Sequence, residues 1–325
     1  MILLYYIKFL EVKRMYIGID LGGTNIAAGL VSEDGKILKQ ASTPTMNERE
    51  AIEIVKDMAM LVEKLAKDYG IEVSDIKGIG IGSPGSIDFD NGVVVYSNNL
   101  KMEKFPIADE LRKLTGLPVS VDNDANCAAM GEYVEYEKDV KDFLFITLGT
   151  GVGSGIIIDG KMLHGFNGAA GEGGHIVIKT DGEQCSCGRK GCWEAYASVT
   201  ALIRQTKAAM EKNPDSLMHK FAAEEGKVSG KTSFDAAKAG DKAAQEVVSQ
   251  YAVYVAEGLT NLENILQPEM ICIGGGISRE GDYLLDPIRD FVSKNGYNKY
   301  MTKTKIVTAK LFNDAGIIGA AMIAR

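Results

Sequence analysis

Apolar residues alternate with polar ones, or fall in short unbroken runs, in two separate parts of the chain, and each part predicts a β-meander. The first has strands at residues 16–20, 26–32 and 36–41, the last two joined by Glu33-Asp34-Gly35. The second has strands at 143–148, 155–158 and 161–163, with Asp159-Gly160 as its closing turn. Between them, Ile52, Val55, Ala59, Val62 and Leu65 recur at helical spacing and predict a helix over 49–69. A buried strand at 76–81 runs into Gly82-Ser83-Pro84-Gly85. A short helix at 107–114, a strand at 119–121 and a helix at 125–133, opened by Asp122 and Asp124, follow. Beyond Gly168 a loop-rich insert gives way to helices, the longest over 242–266. Its stripe of Val247, Tyr251, Tyr254, Val255, Leu259, Leu262 and Leu266 ends before Pro268. A strand at 270–273 enters Gly274-Gly275-Gly276, and a helix, a strand at 305–308 and an apolar helix at 315–323 complete the pattern.

The two meanders repeat one another. Ile19-Asp20-Leu21-Gly22-Gly23-Thr24 leads to Asp34-Gly35-Lys36, and Ile146-Thr147-Leu148-Gly149-Thr150-Gly151 leads to Asp159-Gly160-Lys161. A period of about 125 residues is too long for a solenoid, so it predicts two copies of one domain core, facing each other. The 325 residues, 46% hydrophobic and 25% charged, supply a core for two α/β domains. We place the smaller over 15–135 with 309–325, and the larger over 136–308 with a metal loop at 175–192. Lys and Arg total 36 against 44 Asp and Glu, a net charge of −8, which excludes a nucleic-acid footprint. No apolar run reaches the roughly 18 residues of a membrane span. The leader, 1–14, is apolar and basic but is broken by Lys8 and lacks a cleavage site, so it reads as an unstructured extension before a natural start at Met15.

Two phosphate-loop patterns are decoys. Gly80-Ile81-Gly82-Ser83-Pro84-Gly85 matches a dinucleotide fingerprint, but turn residues follow it where a helix is needed. Gly155 to Lys161 nearly matches a P-loop, yet Met162 stands where a hydroxyl is required. The turn at Gly22-Gly23-Thr24-Asn25 is more informative, because its glycines let backbone N–H groups converge on phosphate while Thr24 adds a hydroxyl. Asp20 before it could hold magnesium through water. Gly149-Thr150-Gly151 repeats this chemistry, and Gly275-Gly276 offers a close approach for an adenine or ribose. Asp122-Asn123-Asp124-Ala125-Asn126 has more polar groups than a helix cap needs, and transfer to a hydroxyl needs a carboxylate base. Three of the five cysteines, Cys185, Cys187 and Cys192, lie within eight residues; with His175 they make a closed tetrahedral set suited to structural zinc in a reducing, cytoplasmic compartment.

Together these motifs, with Glu172-Gly173-Gly174-His175 and the Cys-x-Cys-Gly-x-x-Gly-Cys-x-Glu of 185–194, resemble the ROK family of repressors, open reading frames and kinases. The resemblance runs from about Met15 to the C-terminus. It implies the actin/hexokinase-like fold, a duplicated ribonuclease H-like core of two α/β domains around a cleft. It also implies ATP-dependent phosphorylation of a hexose at its 6-hydroxyl, with glucose first, N-acetylmannosamine, N-acetylglucosamine, fructose or allose as alternatives, and a non-catalytic sugar-sensing protein behind them. Asp124 is then the catalytic base; Gly85, Asn99, Asn123, Asp124, Glu172, His175 and Glu194 bind the sugar. Asp20, Gly22, Gly23, Thr24, Asn25, Gly149, Thr150, Gly151, Gly275 and Gly276 bind the nucleotide with Mg2+, and a homodimer or higher homo-oligomer is expected. Two departures stand out: Lys101 follows Asn99-Leu100 in place of the usual proline-glycine-aromatic continuation, and 1–14 has no family counterpart. A leader this short cannot hold the winged helix-turn-helix of the family's repressors.

Overall fold

The computed structural model describes residues 14–325; the expected leader, Arg14 aside, lies outside them. The chain divides into two compact units, and the first takes residues 14–135, His164–Ala169 and Asn313–Arg325. Its sheet has the order β3-β2-β1-β4-β8: β1 (Met15–Leu21), β2 (Asn25–Ser32) and β3 (Ile37–Pro44) pair antiparallel, while β4 (Ile79–Ser83) and β8 (Val119–Asn123) run parallel to β1. Helix α1 (Ala51–Tyr69) buries Ile54, Val55, Met58, Val62 and Leu65 in a core with Ile17, Ile19, Ile26 and Leu30. The C-terminal helix, which we number α10 (Ala315–Ile323), covers β1 and β4. It approaches so closely that a Cβ on Gly18 or Gly80 would overlap the carbonyl oxygens of Ile317 and Ala320. Side chains there would force the helix off the sheet.

The second unit takes Tyr136–Leu163 and Ala170–Phe312. Its sheet, β11-β10-β9-β12-β13, repeats the first: β9 (Phe143–Leu148), β10 (Val152–Ile158) and β11 (Lys161–Met162) pair antiparallel, and β12 (Met270–Gly274) and β13 (Lys305–Thr308) run parallel to β9. The duplication read from the two meanders is thus present in the topology of both sheets. Helix α8 (Lys242–Leu266) has the bounds its apolar stripe predicts, and stops where Gln267 turns left-handed, φ 46°, ahead of Pro268.

Three expectations shift. The strand predicted from residue 76 begins at Ile79, because Glu72 and Asp75 cap a 3-10 turn over Val73–Asp75. The helix predicted from residue 49 begins at Ala51, because Arg49 instead binds the Thr45 carbonyl at 2.8 Å and Asp57 at 2.5 Å. Where we expected only turns after Gly85, a three-stranded sheet forms from β5 (Ser86–Asp88), β6 (Val93–Ser97) and β7 (Met102–Phe105).

Candidate active site

In the first unit, strand register assembles the site. Asp20 lies opposite Gly82, and Ser83 opposite Asn123, so β1, β4 and β8 end together. Ligands of parallel sheets bind at such carboxyl ends. The turn after β1 is closed by Gly22 N–H donating to the Asn25 carbonyl at 3.0 Å and by the Thr45 hydroxyl donating to the Gly22 carbonyl at 2.6 Å. These bonds leave the Thr24 side chain exposed. Gly23 packs on Asn99, whose carbonyl accepts from Asn47 Nδ2 at 2.7 Å.

Asp124 opens α3 (Asp124–Val134), with α2 being Ile107–Thr115. The Ala125 N–H donates to both Asn123 Oδ1 and Asp124 Oδ1, each at 2.9 Å, while Asn123 Nδ2 donates to the Gly85 carbonyl at 3.2 Å. The Asp124 side chain keeps a face to solvent, yet loss of hydration raises its pKa, against two backbone hydrogen bonds that lower it. Burial, and then the charge of Asp124, push Asp20 up to about 6. Two carboxyls held above their ordinary pKa at one sheet end are poised for a cation and a proton.

A folded-state pKa above the ordinary value of 3.8 means that ionising Asp20 costs stability, a cost absent at low pH and complete above about 6. Asp20→Asn is therefore expected to raise the Tm of ligand-free protein at pH 8 by about 5 °C and to leave it nearly unchanged near pH 4. Thermal scans at the two pH values test this; an equal shift at both would assign Asp20 an ordinary titration.

In the second unit, the turn after β9 is closed by Gly149 N–H donating to the Gly151 carbonyl at 3.0 Å. The Thr200 hydroxyl fixes the Thr150 carbonyl at 2.8 Å, leaving the Thr150 side chain exposed. Gly275, at φ 85°, packs on the Leu148 carbonyl, so the turn after β12 adjoins the end of β9. Gly276 then opens a 3-10 turn over Gly276–Glu280. The ligand atoms of His175, Cys185, Cys187 and Cys192 all lie within 4.8 Å of one another. Cys185 Sγ is 3.6 Å from His175 Nδ1, and Cys187 Sγ is 3.6 Å from Cys192 Sγ. A tetrahedron with Zn–S bonds of about 2.3 Å has edges of ~3.8 Å, so the spacing of the four donors is compatible with that ion. The other ring nitrogen, Nε2, faces Glu172 Oε2 at 3.9 Å.

Glu194 joins the cysteine loop to the glycine turn. Its Oε2 accepts from Val152 N–H at 3.0 Å and occupies the space a Cβ on Gly151 would need, while Oε1 accepts from the Ser186 hydroxyl at 3.1 Å. The neighbouring Trp193 is wholly buried and donates from Nε1 to the Tyr254 carbonyl at 2.8 Å, which anchors the loop on α8. The expected site residues thus gather into two sets. Asp20, Gly22 to Asn25, Gly85, Asn99, Asn123 and Asp124 belong to the first unit, and the remainder to the second.

The model of the ROK family matches residues 16–325. The chain belongs to the ROK family. It is 39% identical over 314 residues to a glucokinase of Halalkalibacterium halodurans, covering 96% of this chain and 95% of that one. A glucokinase of Thermotoga maritima is 39% identical over 316 residues, covering 96% and 97%. Among solved structures, a ROK family glucokinase from Streptomyces griseus in complex with glucose and AMPPNP has a TM-score of 0.79 at 36% identity, covering 96% of this chain and 99% of its own. The ROK fold is the actin/hexokinase-like α/β architecture, and the two matching sheets are its duplicated core.

Sequence reasoning missed three residues that support the candidate site. Ser186 and Thr200 act through side-chain bonds to Glu194 and the Thr150 carbonyl, and no pattern marks them. The third is His164, whose Nε2 lies 2.7 Å from Asp122 Oδ2, and whose pKa that partner raises. Its sole signal was being one of three histidines in the chain.

Proposed function

We propose that this ROK protein is a hexokinase-type phosphotransferase that moves the terminal phosphate of ATP to the 6-hydroxyl of glucose. The observation that carries the reading is Asp124, a carboxylate with a raised pKa at a helix start, electrostatically coupled to Asp20 beside a glycine turn. Its full-length similarity to glucokinases, one of them in complex with glucose and AMPPNP, supports this activity and substrate. Asp124 accepts the hydroxyl proton late in transfer, while positioning and charge neutralisation supply the rest. Asn99, Asn123, Glu172, His175 and Glu194 are the sugar's polar partners, and Gly85 lines its site. Gly22, Gly23, Thr24, Asn25, Gly149, Thr150 and Gly151 take the phosphates; Gly275 and Gly276 take the adenosine end.

Asp20 would hold Mg2+ through water, and the ion would neutralise charge on the phosphates. His175, Cys185, Cys187 and Cys192 would hold zinc, which would fix the loop carrying His175 and Glu194. A homodimer or higher homo-oligomer, a glycolytic role and a cytoplasmic location belong to the same reading. A coupled assay crossing six hexoses with ATP, ADP and polyphosphate tests it: glucose with ATP should give the highest kcat/KM, and a better rate with any other pair would reassign the substrate or donor.

The exposed Thr150 hydroxyl has its backbone fixed and its side chain free for a phosphate. Thr150→Val should raise the KM for ATP or lower kcat about tenfold, the worth of one hydrogen bond to a charged group. Initial rates with each substrate varied check this, and a change confined to the glucose KM would remove Thr150 from the phosphate site.

A further inference from the structure

Asp122 is 5% exposed, at the end of β8, and one carboxylate there engages three donors. Oδ1 accepts from Asn123 N–H at 2.7 Å and from Asn126 Nδ2 at 2.9 Å, and Oδ2 meets His164 Nε2 at 2.7 Å. The first two donors bracket Asp124, so Asp122 fixes the turn that presents the base. The third comes from a different stretch of chain, His164–Ala169, which belongs to the first unit although Leu163 before it and Ala170 after it belong to the second. The His164 ring lies flat on Phe89, with centroids 4.0 Å apart and planes at 19°. At the other end of the stretch, Gly168 packs on Phe89 and on the Ile87 carbonyl of β5, so closely that no side chain fits. The small sheet missed in sequence is therefore the bed on which this stretch lies.

We propose that His164 is a positioning residue for phosphoryl transfer: clamped by Phe89, it locks the Asp122 carboxylate, and through it the backbone at Asn123 and the Asn126 side chain that set Asp124. The inference rests on the kinase reading for its effect on rate, though not for the clamp itself. A buried carboxylate that loses one donor shifts toward the donors that remain. A displacement of the base by even about 1 Å costs up to about 10²-fold in rate.

The test compares His164→Leu, which removes the donor, with His164→Gln, which can place an N–H near the position of Nε2. For each, steady-state constants are measured together with amide hydrogen exchange at 123–126. The expected result for His164→Leu is a kcat lowered about tenfold or more, an ATP KM within about twofold of wild type, and faster exchange at 123–126. The glutamine variant should recover kcat to within about threefold. Wild-type kcat in folded His164→Leu, or an equal loss in both variants, would overturn the proposal. Should the leucine variant not fold, His164→Ala takes its place beside the glutamine variant and is read by the same criteria: lowered kcat and faster exchange restored by glutamine support the clamp, and wild-type kcat or an equal loss in both overturns it. If wild-type protein transfers no phosphate to any hexose, the kinase reading fails instead, and the exchange comparison still decides whether His164 holds the turn.

Discussion

Asp124→Asn should fold, bind glucose and lose kcat by about two to four orders of magnitude. Folding survives because the helix start is doubly capped: Asn123 Oδ1 accepts from Ala125 N–H as closely as Asp124 Oδ1 does, each at 2.9 Å. The substitution keeps the size of the side chain and removes only its capacity to take a proton. A carboxyl whose pKa burial has raised is a better proton acceptor than an ordinary aspartate, which makes its loss costly. Removing this charge also relieves Asp20, so the pKa of Asp20, raised to about 6 in part by Asp124, should fall in the variant. Rates with saturating substrates and a glucose titration of the inactive protein check the split. Near-wild-type kcat would reassign Asp124 to helix capping.

The second large effect is expected at the metal loop. Cys187 is exposed, and its Sγ lies 3.6 Å from Cys192 Sγ, so Cys187→Ala removes one of four donors with little loss of core. Zinc content should drop from about one per chain, and the KM for glucose should rise about 10- to 100-fold as His175 and Glu194 lose their fixed positions. Thermal stability should also fall, because metal binding and loop folding are coupled. Sequence alone suggests that the phosphate turns would be untouched. Glu194 changes that expectation, since the same carboxylate holds Ser186 in the loop and Val152 N–H at the glycine turn. The ATP KM should therefore rise as well, by less than the glucose KM. Metal analysis with sugar and nucleotide titrations tests both steps, and full glucose affinity in zinc-free protein would reduce the cluster to a staple.

The readable parts of this chain were those whose pattern is long or repeated. The stripe on α8 and the apolar run of α10 fixed both ends of each helix, because many positions agree on one period. The paired meanders announced two matching sheets because the same residues recur with nearly the same spacing. The β5–β6–β7 sheet escaped because strands of three to five residues, separated by Asp, Asn and Gly, carry too few alternations to register. The candidate metal ligands were legible as a set because the cysteines crowd into one loop, and the fold brings the donor atoms of His175, Cys185, Cys187 and Cys192 within 4.8 Å of one another. What stayed hidden were contacts made only by the fold: Glu194 meets Val152, and His164 meets Asp122, each across 42 residues of chain. Neither leaves a spacing to read, and each ties a motif to a neighbour that looked independent.

The most direct measurement of the central claim is a phosphorus NMR spectrum of the products formed from glucose and ATP by purified protein with magnesium. The account predicts ADP and a new phosphomonoester signal coupled to the two protons on carbon 6, with Asp124→Asn giving almost none. ATP left intact by folded, metal-loaded wild-type protein, or phosphate carried on any other carbon of the sugar, would contradict it.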